Sequence, residues 1–321
     1  MQQLAAESGT GLIPAPPAAQ KRFALFAWSV LVYNLAVILW GALVRATGSG
    51  AGCGGHWPLC NGEILPQIAQ SATIIELTHR VMSGLALVSA VALVAGAFQA
   101  CPPRHPARRW ASWALVFMLT EALLGAVLVL LGHVARNESV GRIYSLSLHL
   151  INTFLLLTSL ALTARWATVA NPRPAPSPEF RYEFLWPLLA LLAVAIAGAI
   201  TALGDTLFPA HTLAQGVRDD FTSTAHFLVR LRIIHPALAI VAAGSLAWLA
   251  LSEFRERRTP ALHGLAGALL ALTVCEVLAG AANILLKAPL PMQLIHLLIA
   301  DGLWITLVLF VNEREQNQTA R

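Results

Sequence analysis

The sequence predicts an all-α polytopic membrane protein with eight transmembrane helices, and its composition, hydrophobic segments and basic residues all indicate this class. Hydrophobic residues make up 57% of the 321 residues and charged residues only 12%, whereas a soluble domain averages about 25% charged residues. A transmembrane helix needs about 20 apolar residues, and the partner of so apolar a chain is the lipid bilayer. Eight segments reach this length: 23–44, 73–98, 110–132, 143–165, 184–204, 228–251, 261–286 and 290–311.

Lysine and arginine residues are concentrated at one set of helix ends. Most of them, including Arg108 and Arg165, flank the ends on the side of the two termini, and fewer lie at the opposite ends. The positive-inside rule therefore places both termini in the cytoplasm. The net charge of +5 then reflects topology, and we expect no binding to nucleic acid because no soluble module remains to present a basic face.

A proline-rich segment, Asn171–Pro178, divides the chain into halves of four spans each. The halves carry similar motifs in the same order, such as EALLGA starting at Glu121 and EVLAGA starting at Glu276. This order predicts two pseudo-symmetric four-helix bundles related by an axis along the membrane normal. As intramembrane acids the two glutamates are functional candidates, and a shared packing role is equally open. We expect a disordered cytoplasmic tail at 1–22, an N-terminal bundle at 23–170, a cytoplasmic linker at 171–183, a C-terminal bundle at 184–312 and a cytoplasmic tail at 313–321.

Four histidines occupy matched positions in the even-numbered spans: His79, His149, His235 and His296. These spans all run in the same direction, so the four imidazoles should lie at about one depth near the outer surface. Imidazole at membrane depth is costly without a partner, and two facing histidines on adjacent helices can bind a haem iron from opposite sides. The sequence thus predicts two bis-histidine sites, a first pair (His79 and His149) and a second pair (His235 and His296). A hydrogen bond to a neighbouring helix, or a zinc site that would need further ligands, are the alternatives.

Glu76 is the candidate catalytic acid, because it lies three residues before His79 on nearly the same helix face. A carboxylate there can accept or relay protons at the edge of a haem. An ion pair with Arg80, or a role in capping the helix, is the alternative. The counterpart of Glu76 in the second half is Arg232, three residues before His235. This difference predicts chemistry at the first pair and a structural or electron-transfer haem at the second, unless Arg80 and Arg232 bind haem propionates instead.

The first outer loop has an unusual glycine-rich sequence, TGSGAGCGGHWPLCNG. Cys53 and Cys60 in this loop could close a disulfide, since oxidation is allowed on the outer side of a bacterial-type membrane. A metal site formed with His56 is the alternative, and the spacing is not that of a CxxC redox motif. Cys101 at a helix end and Cys275 within the seventh span are expected to be free thiols.

These residues together resemble the haem A synthase family. The resemblance rests on the first-loop sequence, on IIELTHR and on the two later histidine spans, and it covers about residues 23–312. It implies oxidation of the C8 methyl group of haem O to a formyl group, giving haem A through a hydroxymethyl intermediate. It also implies that Cys53 and Cys60 form the outer-loop cysteine pair of the family. Some members have a second cysteine pair in the C-terminal half that this chain lacks, so a mechanism needing both pairs would not carry over.

The resemblance also implies a role for each site residue. His79 and His149 would hold the substrate haem O, and His235 and His296 would hold a haem B cofactor. Glu76 matches the functionally important acid of the family.

Partners and location follow from the same resemblance. Haem O synthase would hand over the substrate, and an electron acceptor that the sequence does not name would take the electrons. The protein would lie in the inner (plasma) membrane with its active-site side towards the outside, and a homo-oligomer is compatible with the sequence. Two other functions stay open: a diheme cytochrome b-like membrane electron carrier that does no chemistry on its haem, and a haem transporter or chaperone. The first-loop sequence and Glu76 favour the synthase, because a simple carrier needs neither.

Overall fold

The computed structural model describes residues 17–64, 66, 70–170, 172, 182–255 and 259–318. In these parts of the chain the regular structure consists of α-helices and short 3-10 turns, which confirms the predicted all-α class. The helices are α1 (Ala18–Ala46), α2 (Ser71–Ala100), α3 (Pro106–Leu130), α4 (Val140–Ala167), α5 (Tyr182–Leu207), α6 (Leu213–Asp220), α7 (Phe227–Arg230), α8 (Ile234–Phe254), α9 (Pro260–Leu286) and α10 (Leu290–Gln318).

Eight helical segments are long and apolar enough to cross a membrane, as the sequence predicts. Seven are single helices, and the sixth combines α7, a 3-10 turn at Leu231–Ile233 and α8. The break before α8 suits Pro236, because proline has no N–H to donate to the carbonyl group four residues earlier. Large apolar side chains such as Leu25 and Ile240 are exposed on the outer faces of the helices, where lipid would contact them.

Helices extend beyond the apolar segments at both ends of the chain. The first helix begins at Ala18, within the tail expected at 1–22, and α10 continues to Gln318, within the tail expected at 313–321. Hydropathy marks the lipid-facing part of a helix, whereas polar residues can prolong it: Gln20 is buried and donates to the carbonyl oxygen of Ala167. Residues 1–16 and most of the expected linker lie outside the described residues.

Each half of the chain forms one four-helix bundle. The packing contacts run from α1 to α2, α3, α4 and back to α1, and likewise through α5, α8, α9 and α10. Consecutive spans joined by short connections pack side by side, which places every second helix at the opposite corner of its bundle. The even-numbered spans that carry the paired histidines, α2 and α4 and likewise α8 and α10, therefore face each other across a bundle.

The two bundles pack together through α1 and α4 on one side and α5 and α10 on the other. Trp304 packs against Phe154 with ring centroids 4.6 Å apart, and its indole N–H donates to the carbonyl oxygen of Phe154. Nearer the histidines, Arg45 donates to the carbonyl oxygen of Ala202 and to the amide oxygen of Gln293. Apolar packing and hydrogen bonds thus join the halves.

Candidate functional site

All four candidate histidines lie near one end of the bundles, within about three turns of the start of their spans. We call this the histidine end, and the first loop lies there too. The common level agrees with the direction of the even-numbered spans. That this end faces the outside stays a prediction.

The second histidine pair meets across the C-terminal bundle. The ring centroids of His235 on α8 and His296 on α10 are 6.2 Å apart, and the ring planes are 77° to each other. Bonds from a metal to an imidazole nitrogen are about 2 Å long, so a metal bound between two rings separates their centroids by about 6 Å. The spacing therefore fits axial binding of one iron atom by both side chains.

The hydrogen-bonding environment leaves the Nε2 atoms available as ligands. His235 Nδ1 lies 3.0 Å from the carbonyl oxygen of Val194. A carbonyl oxygen only accepts, so Nδ1 carries the proton and Nε2 keeps its lone pair. At His149 and His296 it is likewise Nδ1 that lies near an acceptor, here a carboxylate oxygen. This is the arrangement in which histidine binds a metal through Nε2.

The first histidine pair has a similar environment in the N-terminal bundle. His79 on α2 lies close enough to His149 on α4 for the two imidazoles to interact electrostatically. His149 Nδ1 is 3.6 Å from a carboxylate oxygen of Glu121. Nδ1 of His79 and of His149 is buried without a hydrogen-bond partner in the described part of the chain. The structure thus brings His235 and His296 together and places His79 near His149, and that either pair binds haem stays a prediction.

Glycines give two of the imidazole rings their space. Gly41 on α1 lies against His79, and Gly198 on α5 lies against His235 in the same way. A Cβ atom at Gly198 would come within 2.8 Å of His235 Cε1, and one at Gly41 within 3.0 Å of His79 Cε1. The first helix of each bundle therefore has a glycine, with no side chain, where a histidine ring packs against it.

We expect Gly198→Ala to displace His235 and to remove most of the haem from the second pair. The added methyl group would lie closer to the ring than real Cβ contacts allow, so the ring must move away from its place opposite His296. Haem per protein, measured by the pyridine haemochrome assay, would fall towards half. Gly125→Ala is the matched control, since nothing lies within 4 Å of a Cβ there. Full haem content and an unchanged spectrum in Gly198→Ala would contradict this prediction.

The first loop is fixed onto the start of α2. Cys53 and Cys60 form a disulfide, as predicted, while Cys101 and Cys275 are free. A side chain at Gly52 would collide with the backbone of α2. The Thr73 hydroxyl donates to the carbonyl oxygen of Gly52 over 2.8 Å. The disulfide loop therefore lies directly on the helix that carries Glu76 and His79.

Glu76 is buried and holds this loop by hydrogen bonds. One carboxylate oxygen accepts the backbone N–H of Cys53 over 2.8 Å, and the other accepts the guanidinium of Arg80 over 2.6 Å. Arg80 also donates to the carbonyl oxygens of His56 and Leu59 in the loop. The alternative of an ion pair between Glu76 and Arg80 is thus what the structure contains. A carboxylate has about four lone-pair sites, so Glu76 keeps accepting capacity, and its catalytic role and the propionate role of Arg80 stay predictions.

Arg232 is held by two acids that sequence reasoning did not identify. Its guanidinium lies 2.9 Å from Asp205 at the end of α5 and 2.8 Å from Asp220 in the short helix α6. The helix is signalled by the capping pair Thr212 and Gln215, whose hydroxyl oxygen and backbone N–H are hydrogen-bonded. A propionate role for Arg232 stays a prediction.

The fold and these sites define a class: a polytopic helical membrane protein of two four-helix bundles, each with a histidine pair across its interior. A family model described as "Cytochrome oxidase assembly protein" matches residues 24–308. A heme A synthase from Staphylococcus carnosus is 31% identical over 275 residues, which cover 82% of this chain and 84% of that protein. The chain belongs to the haem A synthase family of cytochrome oxidase assembly proteins, which confirms the resemblance seen in its motifs.

A longer relative carries a different name. A protoheme IX farnesyltransferase from Thermus thermophilus is 46% identical over 291 residues, which cover 90% of this chain and 48% of that protein. The corresponding protein of a second strain of the same species matches over the same lengths. The chain thus spans about half the length of these two relatives.

Proposed function

We propose that this protein is a haem A synthase, an oxidoreductase that converts the C8 methyl group of haem O to a formyl group through a hydroxymethyl intermediate. The observation that carries the proposal is the spacing of the second histidine pair, 6.2 Å between ring centroids, together with the presence of a first pair at the matching place in the N-terminal bundle. Family membership and the Staphylococcus relative support the same reaction.

The reaction sets what the protein must provide. Conversion of R–CH3 and one water to R–CHO releases four protons and four electrons, in two two-electron steps. Each step therefore needs a proton acceptor and an outlet for electrons near the methyl group. A carboxylate three residues before the histidine of the second span, Glu76, is present in the first half, and the matching residue of the second half is Arg232.

We assign haem O, the substrate, to His79 and His149, and haem B, the cofactor, to His235 and His296. Glu76 and the disulfide loop lie beside the first pair, whereas the matching place in the second half is Arg232, already held by two carboxylates. Haem B, when bound, supplies a one-electron redox centre that can pass electrons to an acceptor. The imidazole Nε2 atoms bind the iron at both pairs.

Glu76 is assigned the role of proton acceptor. The Cys53 N–H and the Arg80 guanidinium each hold one of its carboxylate oxygens, so the group is oriented before the substrate binds. Its remaining lone pairs can accept a proton from water or from the hydroxymethyl group. The disulfide loop covers this side of α2 and restricts the access of bulk water.

The name of the Thermus relatives raises a second candidate, farnesyl transfer. This chain matches 48% of the length of these proteins. We assign farnesyl transfer to the part of them that lies outside the match, and this assignment makes a haem O synthase the expected partner that supplies the substrate.

Location and electron transfer complete the proposal. We place the protein in the plasma membrane with the histidine end outside, in line with the positive-inside rule, and we expect a separate electron acceptor. A diheme electron carrier remains the rival, since it would have the same two histidine pairs. It would have no need of Glu76 and the disulfide loop beside the first pair.

The proposal is tested by the pigments bound to the purified protein. The protein is expressed with a haem O synthase in a host that makes no haem A, and extracted haems are separated by reversed-phase chromatography. We expect haem B together with haem A or its hydroxymethyl precursor. Haem B alone would favour the electron carrier, and farnesylated haem formed without the added haem O synthase would favour farnesyl transfer.

The same experiment includes Glu76→Gln, which keeps the size of the side chain and an oxygen for the Cys53 N–H. Since a general base contributes about 100-fold or more, formyl product should fall by at least that factor while haem O and haem B stay bound. Glu63→Gln, an exposed acid of the same loop, is the control with unchanged product. Equal product in Glu76→Gln and the control would remove Glu76 from the mechanism.

A further inference from the structure

Each bundle places one intramembrane acid against the histidine of its fourth helix. In the N-terminal bundle, Glu121 of α3 lies 3.6 Å from His149 Nδ1, and in the C-terminal bundle, Glu276 of α9 lies 3.2 Å from His296 Nδ1. These carboxylate side chains are only 19% and 18% exposed. An acid inside a membrane span is costly, and here the cost recurs at equivalent places facing equivalent atoms. A packing role alone would not require the carboxylate to face Nδ1 twice.

We propose that Glu121 and Glu276 are positioning residues: their carboxylates lie within ion-pair distance of Nδ1 of His149 and His296, and they would accept the Nδ1 proton when Nε2 of each ring holds the iron. This inference rests on the proposed function, because it assumes that the histidine pairs bind haem. A carboxylate at Nδ1 fixes the tautomer and the ring orientation of a ligand histidine, and it makes the other nitrogen a stronger donor. Stronger donation stabilises ferric iron, so the carboxylates lower the reduction potential of the haem that they face.

The histidine of the second span in each pair has a different environment at Nδ1. His235 Nδ1 faces the carbonyl oxygen of Val194, a neutral acceptor of the main chain. Nδ1 of His79, like that of His149 and His296, has no hydrogen-bond partner among the described residues, and only the latter two have a carboxylate within ion-pair distance there. In both pairs the carboxylate therefore faces the histidine of the fourth helix and not that of the second. The two glutamates would thus act through only one of the two histidines that hold each haem.

The acids are also held to different degrees. The Asn152 amide and the Thr153 hydroxyl, one turn beyond His149 on α4, both donate to Glu121. The matching positions on α10 are Ile299 and Ala300, whose side chains cannot donate. Two hydrogen bonds therefore orient the carboxylate of the N-terminal bundle, whereas Glu276 has another buried acid, Asp301, close enough to interact with it electrostatically. The oriented carboxylate suits a site in which the methyl group must be placed accurately.

The test is a redox titration of the full-length haem-loaded protein with Glu121→Gln or Glu276→Gln. Glutamine has the shape of glutamate, so a purely structural role would be kept while the charge is lost. We expect full haem content in both variants. Each variant should shift the reduction potential of the haem in its own bundle upwards and leave the other haem unchanged. Each is therefore the matched control of the other, and single-haem variants, His79→Ala and His235→Ala, assign the two potentials.

A second measurement uses the leucine variants Glu121→Leu and Glu276→Leu. Without any acceptor for Nδ1, haem should dissociate to an added haem-binding apoprotein more readily, with affinity lower by about 10- to 100-fold. Haem-loaded wild type with unchanged potentials in both glutamine variants would overturn the inference and leave the proposed function standing. A single variant that shifts both potentials equally would overturn it too, because the effect would then be global. Wild type without haem would instead overturn the proposed function itself.

Discussion

Alanine at His235 or at His296 is expected to reduce the haem content of the purified protein from two haems to one. His235 and His296 would together hold the iron of a haem, and the loss of either side chain would remove half of the protein ligands that keep it in the apolar bundle. The remaining histidine, 6.2 Å from its former partner, has no second described histidine across the bundle to replace it. The haem B fraction should therefore be lost almost completely, and formyl product should fall with it because electrons have no outlet.

Alanine at His79 or His149 is expected to give the converse result. Haem B should stay bound at the second pair, while haem O and its oxidised products should disappear from the extracted pigment. His211→Ala is the control for both experiments, because this imidazole is exposed near the same end of the bundles. Pigment analysis and visible spectra of the five variants check both results. Two haems in every variant would contradict the assignment of the pairs.

The eight spans and the histidine pairs follow from the sequence because both depend on local patterns. Hydropathy over some twenty residues identifies a span, and the repeat of motifs around Glu121 and Glu276 identifies the equivalent helices. The disulfide could also be predicted from the sequence, since Cys53 and Cys60 share one short loop. Each of these signals lies within a single segment or compares two segments that look alike.

Sequence reasoning failed where contacts between distant segments decide. The corner that each helix occupies depends on the packing of all four helices, which hydropathy does not show. The ion pairs of Arg232 needed the loop helix α6 to fold back, and only then does Asp220 reach the guanidinium. In the sequence Arg45 is an ordinary basic residue at a helix end. In the structure its guanidinium donates to the amide oxygen of Gln293 in the other half of the chain. Contacts between distant segments produce no periodic pattern in the sequence.

Arg232→Leu is expected to cause the largest loss of stability among the substitutions considered, because it leaves two acids without their cation. The Arg232 side chain is 9% exposed, and those of Asp205 and Asp220 are 28% and 22% exposed. Removing one partner of a buried ion pair costs about 3–5 kcal/mol, and partial exposure of the acids places the expected loss nearer about 3 kcal/mol. Thermal unfolding of the detergent-solubilised protein, followed by size-exclusion chromatography after heating, measures the effect.

Two further variants separate this structural role from haem binding. Arg230→Leu removes an exposed arginine two residues away and should unfold like the wild type. Adding Asp205→Asn and Asp220→Asn to Arg232→Leu removes the unpaired charges and should recover part of the lost stability. If Arg232 instead binds a haem propionate, the triple variant would recover no haem, and Arg232→Leu would destabilise only the haem-loaded protein. An Arg232→Leu protein that unfolds at the wild-type temperature with and without haem would show that neither role matters for stability.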